Sequence, residues 1–209
     1  VLHPVKLVIT NYPADKVEIF TVENNPNCPE DGSREISFSR ELWIEAEDFM
    51  AEPVPKYKRL YPDGPECRLK GAYIVKCTGF TADENGNIIE ITAEYDPNSR
   101  GGDPADGRKV KGATLHWVDA KNAVDAEVRI YDNLFTVDNP EEGDFLDYLN
   151  SDSLEVLTGC KAEASLAGAK PGESYQFMRQ GYFCADSRDS KPGSLVFNRS
   201  VKLKDSFWP

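Results

Sequence analysis

The amino-acid sequence predicts an all-β fold. Short runs that alternate apolar and polar residues recur along the chain, and Pro, Gly, Asn and Asp separate them. Helix signals are scarce, and hydrophobic residues make up 40% of the 209 residues, so a packed core is expected. About a dozen short strands fit two β-barrels, or a sandwich plus a barrel.

Strand signals in the first half of the chain come in pairs. Three antiparallel pairs are predicted, at residues 5–10 with 16–22, 35–38 with 41–44, and 72–80 with 88–95. The last pair has the strongest signal, because Asn85-Gly86 separates its two alternating runs and both residues tolerate positive φ. A single helical turn is predicted at Glu45–Phe49.

The second half begins with a long polar loop, Asp96–Arg108. A short helix is predicted at Ala120–Ala126, and turns around Asp138–Asp147 and Ser165–Gly172. Strands are predicted at residues 109–118, 127–135, 154–157, 175–179, 181–186 and 195–203.

Residues 56–76, KYKRLYPDGPECRLKGAYIVK, form what we call the cationic stretch. It holds six basic and two acidic residues, a net charge of about +4 in a chain whose net charge is −12. A local reversal of this size indicates a surface for a polyanion. Two strands joined by the turn Pro62–Pro65 would bring its cations together, with Arg59 and Arg68 on either side of that turn. The alternative is a pair of edge strands whose charges prevent edge-to-edge pairing.

Signals for catalysis or metal binding are weak. His116 lies in an apolar strand and is better explained as a packed residue than as a general base. The five cysteines are scattered without metal-ligand spacing, which predicts reduced, mostly buried thiols in an intracellular protein. No apolar run reaches the ~20 residues that cross a bilayer. We therefore expect a binding function rather than catalysis within these residues.

A second candidate site is Gln176–Arg179. Tyr175 and Phe177 would face one side of a strand and Gln176 the other, with Arg179 returning to the Phe177 face unless the strand bends. On pattern alone, Gln176 and Arg179 are better explained as ordinary exposed polar residues. Arginine forks and exposed rings on a β-barrel suit single-stranded RNA, whose splayed bases stack and whose phosphates meet cations.

Six motifs occur in a fixed order along the chain: KYKRL (56–60), CRLKGAYIVKC (67–77), DPADGRKVKGATLHWV (103–118), AEVRIYDNLF (126–135), QFMRQGYFCAD (176–186) and VFNRSVKLKD (196–205). Over nearly its whole length the chain resembles the C-terminal anticodon-binding region of the glutaminyl-tRNA synthetase family, class I enzymes that charge tRNA(Gln). The equivalent region of glutamyl-tRNA synthetases is the nearest alternative, although QF-R-GYF with VFNR is more similar to the glutaminyl branch.

The resemblance implies two antiparallel six-stranded Greek-key barrels similar to ribosomal protein L25. The proximal barrel would contain residues 1–50 and 158–209, and the distal barrel residues 51–157. It also implies that each anticodon base is unstacked and held in its own pocket. The expected partner is the tRNA(Gln) anticodon stem-loop, without DNA or membrane, in a cytoplasmic monomer that packs against an N-terminal catalytic domain.

The resemblance implies seven anticodon-binding residues in this sequence: Lys56, Lys58, Arg59, Arg68, Lys70, Gln176 and Arg179. Lys58 and Arg59 match the group that holds the third anticodon base, a guanine, and Arg68 matches the arginine of the pocket for the first base. Gln176 and Arg179 match the pair that reads the central uracil. A further family arginine would lie just before Val1, so the central pocket is expected to be incomplete.

Two positions depart from the family pattern. Lys70 stands where bacterial relatives often have arginine, which keeps the charge but loses the fork. Lys56 stands where glutamine is common, which exchanges a base contact for a phosphate contact.

The resemblance implies an enzyme only in a parent chain. That chain would be a glutamine–tRNA ligase whose Rossmann domain binds ATP and Mg and carries HIGH- and KMSKS-type signatures, none of which occur in this sequence. Because the sequence does not begin with Met, we expect a fragment of a longer chain. Because the catalytic domain is missing, we expect this fragment to have no cofactor, metal or catalytic residues of its own. The remaining alternatives are a stand-alone L25-like barrel that binds ribosomal RNA or a protein, and a β-sandwich with a small-molecule or enzymatic role.

Overall fold

The computed structural model describes residues 1–25 and 27–203, and these residues form the predicted all-β fold. Packing divides the chain into two units, Val1–Val124 with Lys161–Ala167, and Asp125–Cys160 with the chain from Gly168 onwards. In the described residues the helical segments are short 3-10 helices: Pro29–Asp31, Ala46–Asp48, Pro140–Glu142, Phe145–Tyr148 and Ala164–Gly168. None of the helices in this part of the chain has the length and hydrophobicity that crossing a membrane requires.

The first unit is built from nine strands. They are β1 (Pro4–Ile9), β2 (Glu18–Glu23), β3 (Ser33–Phe38), β4 (Glu41–Glu45), β5 (Cys67–Leu69), β6 (Ile74–Ala82), β7 (Ile88–Tyr95), β8 (Thr114–Leu115) and β9 (Trp117–Asp119). Strand β1 shows why these segments are strands, because Val5, Leu7 and Ile9 are buried and alternate with residues that face the other side.

Seven of these strands form a nearly closed barrel. Their order is β8-β5-β6-β7-β1-β4-β9. The two edge strands, β8 and β9, are separated only by His116, so one continuous stretch of chain joins the two edges of the sheet. Counted as one interrupted strand, they give a six-stranded barrel. The pairings β1–β7 and β5–β8 are parallel, so the barrel is not purely antiparallel as expected.

Two of the predicted hairpins are wrong. Strand β1 pairs with β4 and β7, while β2 pairs with β3 in a separate two-stranded sheet. The chain does not turn back along β1 because Tyr12 buries its ring against Phe38 and Tyr95, and its hydroxyl donates to Glu18 at 2.7 Å. This aromatic contact carries the chain into the core before β2 begins.

The hairpin predicted around Asn85-Gly86 is confirmed, with β6 and β7 antiparallel on either side. Its turn differs from the expectation in one respect. Gly86 has a φ of 84°, while Asn85 does not adopt a positive φ. The Asp83 carboxylate instead accepts hydrogen bonds from the backbone N–H groups of Asn85 and Asn87, which stabilises the turn.

The helix predicted at residues 120–126 is absent, and residues 120–122 form a turn. The buried carboxylate of Asp119 explains the difference, since it accepts hydrogen bonds from Asn122 Nδ2 and Ser37 Oγ, each at 2.7 Å. Ala123 N–H donates to the Asp119 carbonyl at 2.9 Å and closes the turn. The segment 109–118 is likewise strand only at β8 and the start of β9.

The second unit contains a five-stranded sheet in place of the predicted six-stranded barrel, as far as the described residues show. Its strands are β10 (Val124–Tyr131), β11 (Leu154–Ala162), β12 (Ser174–Phe177), β13 (Gly181–Ala185) and β14 (Leu195–Lys202), in the order β11-β10-β14-β13-β12. Strands β10 and β14 are parallel, and Val128, Phe183 and Phe197 are fully buried.

The two units have other boundaries than the predicted domains. Residues 51–124 belong with residues 1–50, because β1 pairs directly with β7. The last strand, β14, pairs with β10 and β13, so the first and last strands lie in different sheets. Residues 204–209 of the predicted range 158–209 lie outside the described residues.

Candidate nucleic-acid interface

The cationic stretch lies in the first unit, and its first half is not the predicted strand. Residues 56–61 are irregular, and Leu60 is fixed by backbone hydrogen bonds to Asp48 and Met50. Lys56 adopts a φ of 70°, a left-handed conformation that breaks strand geometry. The side chain of Lys56 is exposed at this point.

Arg59 is held by the 3-10 helix Ala46–Asp48. Its Nη1 donates to the Glu47 carbonyl at 3.0 Å and forms ion pairs with Glu47 Oε1 at 3.1 Å and Asp48 Oδ1 at 3.2 Å. The Asp48 side chain is 0% exposed and the Arg59 side chain 30% exposed. A guanidinium carries five N–H donors on three nitrogens. Three contacts through one nitrogen therefore orient the group with only part of its donor set.

Arg68 lies on β5 and faces outward. Its neighbours Cys67 and Leu69 are fully buried, and the alternation of the strand places Arg68 on the opposite face. Arg68 Nε donates to the Gly102 carbonyl at 2.9 Å, and Nη2 lies 3.8 Å from Asp103. Lys70 is exposed, and its carbonyl accepts from Trp117 Nε1 at 3.1 Å.

The segment before β8 brings Lys58 next to β5. Ala113 N–H donates to the Lys58 carbonyl at 2.7 Å, and Arg68 N–H donates to the Ala113 carbonyl at 3.0 Å. The preceding residue is Gly112, whose N–H donates to the Glu66 carbonyl at 3.0 Å. The structure therefore brings Lys58 and Arg68 together in the first unit, with Arg59 and Lys70 next to them in sequence.

Gln176 and Arg179 lie in the second unit, around the turn that joins β12 and β13. Phe177 stacks on Phe183 with ring centroids 4.3 Å apart, while Gln176 is exposed on the other face, as the alternation predicts. The strand ends at Phe177, and Arg179 takes a φ of 66° in a turn that Gln180 N–H closes on the Phe177 carbonyl at 2.9 Å. The bend that the sequence left open is therefore present.

Several residues of these sites were missed by the sequence interpretation. Asp48 and Ala113 act through contacts with residues far along the chain, and the sequence has no local pattern that reveals them. Tyr182 pairs with Gln176 across the two strands and is 45% exposed. Cross-strand partners project from the same face, so Tyr182 lies on the face of the sheet that carries Gln176. The sequence signal that could have revealed Tyr182 is its position next to Phe183 in a strand, which places the two rings on opposite faces.

Metal-ligand groups, thiols and His116 are the other candidates for chemistry in the sequence. Within residues 1–25 and 27–203, no three His, Cys, Asp or Glu side chains form a group that could hold a metal ion. All five cysteines are free thiols, three of them buried, and burial raises the pKa of Cys67 to about 12. Burial also lowers the pKa of His116 to about 3, so its imidazole is neutral near pH 7.

Comparison with known proteins matches two segments of the chain to one description. Residues 1–96 and residues 114–186 each match a model of the anticodon-binding domain of class I tRNA synthetases (E and Q). The chain belongs to this family. The first five predicted site residues lie in the first matched segment, and Gln176 and Arg179 lie in the second.

Curated relatives agree with this family. The chain is 55% identical over 208 residues to the glutamine–tRNA ligase of Vibrio cholerae, 51% over 212 residues to that of Pseudomonas syringae pv. tomato, and 50% over 210 residues to that of Clostridium kluyveri. Each comparison covers 99% of this chain but only 36–37% of the relative. These matches confirm the resemblance to anticodon-binding domains and disfavour a stand-alone barrel or a small-molecule sandwich.

Proposed function

We propose that this anticodon-binding region recognises the anticodon of tRNA(Gln), with the bases unstacked and held by separate side chains. The observation that carries the proposal is the arrangement of Arg59 and Arg68. Each guanidinium is fixed by part of its fork, and each of the two side chains is 30% exposed. A pre-oriented arginine fork suits a base edge, since little rotational freedom is lost when the base binds.

The residues divide the anticodon between them. Arg59 with Lys58 would hold the guanine at the third position, whose O6 and N7 acceptors suit cationic donors. Arg68 would read the first base. The exposed amide of Gln176 offers both a donor and an acceptor to a central uracil, with Arg179 beside it on the turn.

Lys56 and Lys70 take a different role in this proposal. Both side chains are exposed. Lysine presents a compact charge without a planar fork, so these two residues would neutralise phosphates rather than read bases. The surrounding acidity of the chain, with a net charge of −12, would discourage RNA that does not fit the site.

The whole activity belongs to a longer protein in this proposal. The curated relatives carry the name glutamine–tRNA ligase, and this chain spans 37% of the length of the Vibrio cholerae protein. We propose that the remainder supplies the glutamine site and a catalytic domain that uses ATP and Mg. We further propose that the full-length enzyme is a cytoplasmic monomer in which this chain packs against the catalytic domain.

Binding of RNA stem-loops by the 209-residue chain tests the proposed function. The probes are a labelled stem-loop with the glutamine anticodon, the same stem with a scrambled anticodon, and a DNA copy. We expect the glutamine stem-loop to bind most tightly and its affinity to fall with salt, by about 0.7 in log–log slope for each phosphate contact. Equal affinity for the scrambled stem-loop would refute the proposal.

A fourth probe distinguishes an anticodon-binding region of the glutaminyl type from one of the glutamyl type. The matched family covers both E and Q enzymes, whereas the curated relatives described above are glutamine–tRNA ligases. A stem-loop with a glutamate anticodon should bind less tightly than the glutamine stem-loop. The reverse order would assign this chain to the glutamyl branch.

A further inference from the structure

The loop Asp96–Arg108 is closed by its own last residue. The guanidinium of Arg108 binds Glu66 through two nitrogens, with Nε–Oε2 and Nη2–Oε1 distances of 3.0 Å. It also donates to Asp96 at 2.7 Å and to Asp106 at 3.0 Å. One side chain therefore ties the start and the end of the loop to the residue that precedes Cys67 on β5.

The middle of the same loop orients Arg68. The Gly102 carbonyl accepts the hydrogen bond from Arg68 Nε at 2.9 Å, and the side chain of Asp103 lies 3.8 Å from Arg68 Nη2. Gly101 and Gly102 have φ values of 97° and 96°, a conformation that favours glycine and turns the Gly102 carbonyl toward Arg68. The plane of the Arg68 fork therefore depends on where the loop lies.

Glu66 connects the two ends of this arrangement, since it lies two residues before Arg68 in the chain. The bidentate contact between Arg108 and Glu66 fixes the loop relative to the backbone that carries Arg68. A lysine at position 108 would keep the charge but could not form the two parallel hydrogen bonds.

We propose that Arg108 is a positioning residue for recognition of the first anticodon base, because it sets the loop that orients the Arg68 fork. The inference rests on the proposed function of Arg68. Arg108 itself need not contact RNA, since its contacts are with carboxylates of the loop and of Glu66. Its effect should therefore appear as lost discrimination between bases rather than as lost charge.

Substitution of Arg68 and Arg108, singly and together, tests the inference in the 209-residue chain. The variants are Arg68→Ala, Arg108→Gln, Arg108→Lys and the double variant Arg68→Ala/Arg108→Gln. The matched control is Arg129→Gln, because Arg129 in the second unit also binds several carboxylates, with Glu127 at 2.8 Å and Asp189 at 2.7 Å. Affinity is measured for the glutamine stem-loop and for one substituted at the first anticodon base.

We expect Arg108→Gln to reduce the ratio of the two affinities roughly five- to tenfold, because a misaligned fork loses most of a bidentate contact. Arg108→Lys should cause a similar loss, which shows that geometry and not charge is responsible. In the Arg68→Ala background, Arg108→Gln should change neither affinity. Arg129→Gln should leave the ratio unchanged.

Other results identify which idea fails. If Arg68→Ala keeps the discrimination at the first base, the proposed function of Arg68 is wrong. If Arg68→Ala loses it but both Arg108 variants keep it, the positioning role is overturned. A purely structural role for Arg108 would lower both affinities equally in both backgrounds, which also overturns the inference. Arg108→Lys keeps the test valid if Arg108→Gln does not fold.

Discussion

Lys58 and Arg68 are joined through a single residue, Ala113. Its N–H donates to the Lys58 carbonyl at 2.7 Å, and its carbonyl accepts from the Arg68 N–H at 3.0 Å. Gly112 allows this approach, because a Cβ at that position would lie 2.3 Å from the Glu66 carbonyl oxygen and 2.7 Å from Cys67 Sγ. The two halves of the cationic stretch are therefore fixed side by side by the segment that precedes β8.

Gly112→Ala should disturb both stability and RNA binding. A methyl group cannot fit without moving the backbone of β5, and overpacking of this kind costs ~1–3 kcal/mol. Urea denaturation and stem-loop affinity measure the two effects. Gly168→Ala is the control, since a Cβ there would contact nothing within 4 Å and its φ is not in the left-handed region. Equal stability of the two variants would contradict the role assigned to Gly112.

Asp48→Asn should weaken recognition by Arg59 while keeping the shape of the site. The fully buried Asp48 carboxylate anchors Arg59 Nη1, so loss of its charge should lower the free energy of unfolding by ~1–3 kcal/mol. It should also reduce discrimination of the third anticodon base, measured with stem-loops substituted at that position. Asp15→Asn, at an exposed position, is the control. Unchanged discrimination in Asp48→Asn would show that Asp48 does not orient Arg59 for binding.

Lys56→Gly should stabilise the chain and weaken RNA binding at the same time. The left-handed conformation at Lys56 costs an L-residue ~1–2 kcal/mol, and glycine avoids that cost but loses ~0.5–1 kcal/mol of chain entropy. We therefore expect a gain of ~0.5–1 kcal/mol over Lys56→Ala in urea denaturation. Both variants should lose affinity for the stem-loop, because the charge is gone. Equal stability of the Gly and Ala variants would argue against strain at this residue.

His116 should make stability depend on pH. Its folded pKa is lowered to about 3 by burial, with Lys70 and Arg34 adding to the effect. Because the unfolded imidazole, with a pKa near 6.5, binds a proton that the folded one does not, stability falls as the pH drops below that value. The loss between pH 7.5 and 5.5 is ~1.4 kcal/mol. His116→Gln should remove this part of the pH dependence in denaturation curves, and an unchanged dependence would contradict the assignment.

The sequence predicted the fold class and the local hairpin, but not the pairing of distant segments. Alternation identifies β6 and β7 and the turn between them, since those signals lie within a few residues. The parallel pairing of β1 with β7 joins residues about 80 positions apart and leaves no local pattern. The same reason explains why Arg59 and Arg68 were found from charge and resemblance, whereas Asp48 and Ala113 were not.

The ion pairs of the two arginines bear directly on whether RNA can bind them. Asp103 is 91% exposed and 3.8 Å from Arg68, and an exposed pair of this kind is worth little and is easily displaced. The described contacts of Arg59, including the one with buried Asp48, all use Nη1. Arg68 can therefore exchange Asp103 for another partner. The contact of Arg59 with Asp48 would not need to break if RNA bound Arg59.

The most direct test of the account measures base discrimination by Arg59→Ala and Arg68→Ala. Each variant is titrated with the glutamine stem-loop and with stem-loops substituted at the first or third anticodon base. Arg40→Ala is the control, a partly exposed arginine of the same unit that lies outside the cationic stretch and outside the loop Asp96–Arg108. We predict that Arg59→Ala loses discrimination only at the third base and Arg68→Ala only at the first, each by ~1–3 kcal/mol. Uniform loss at both bases, or none, would contradict separate readout by the two arginines.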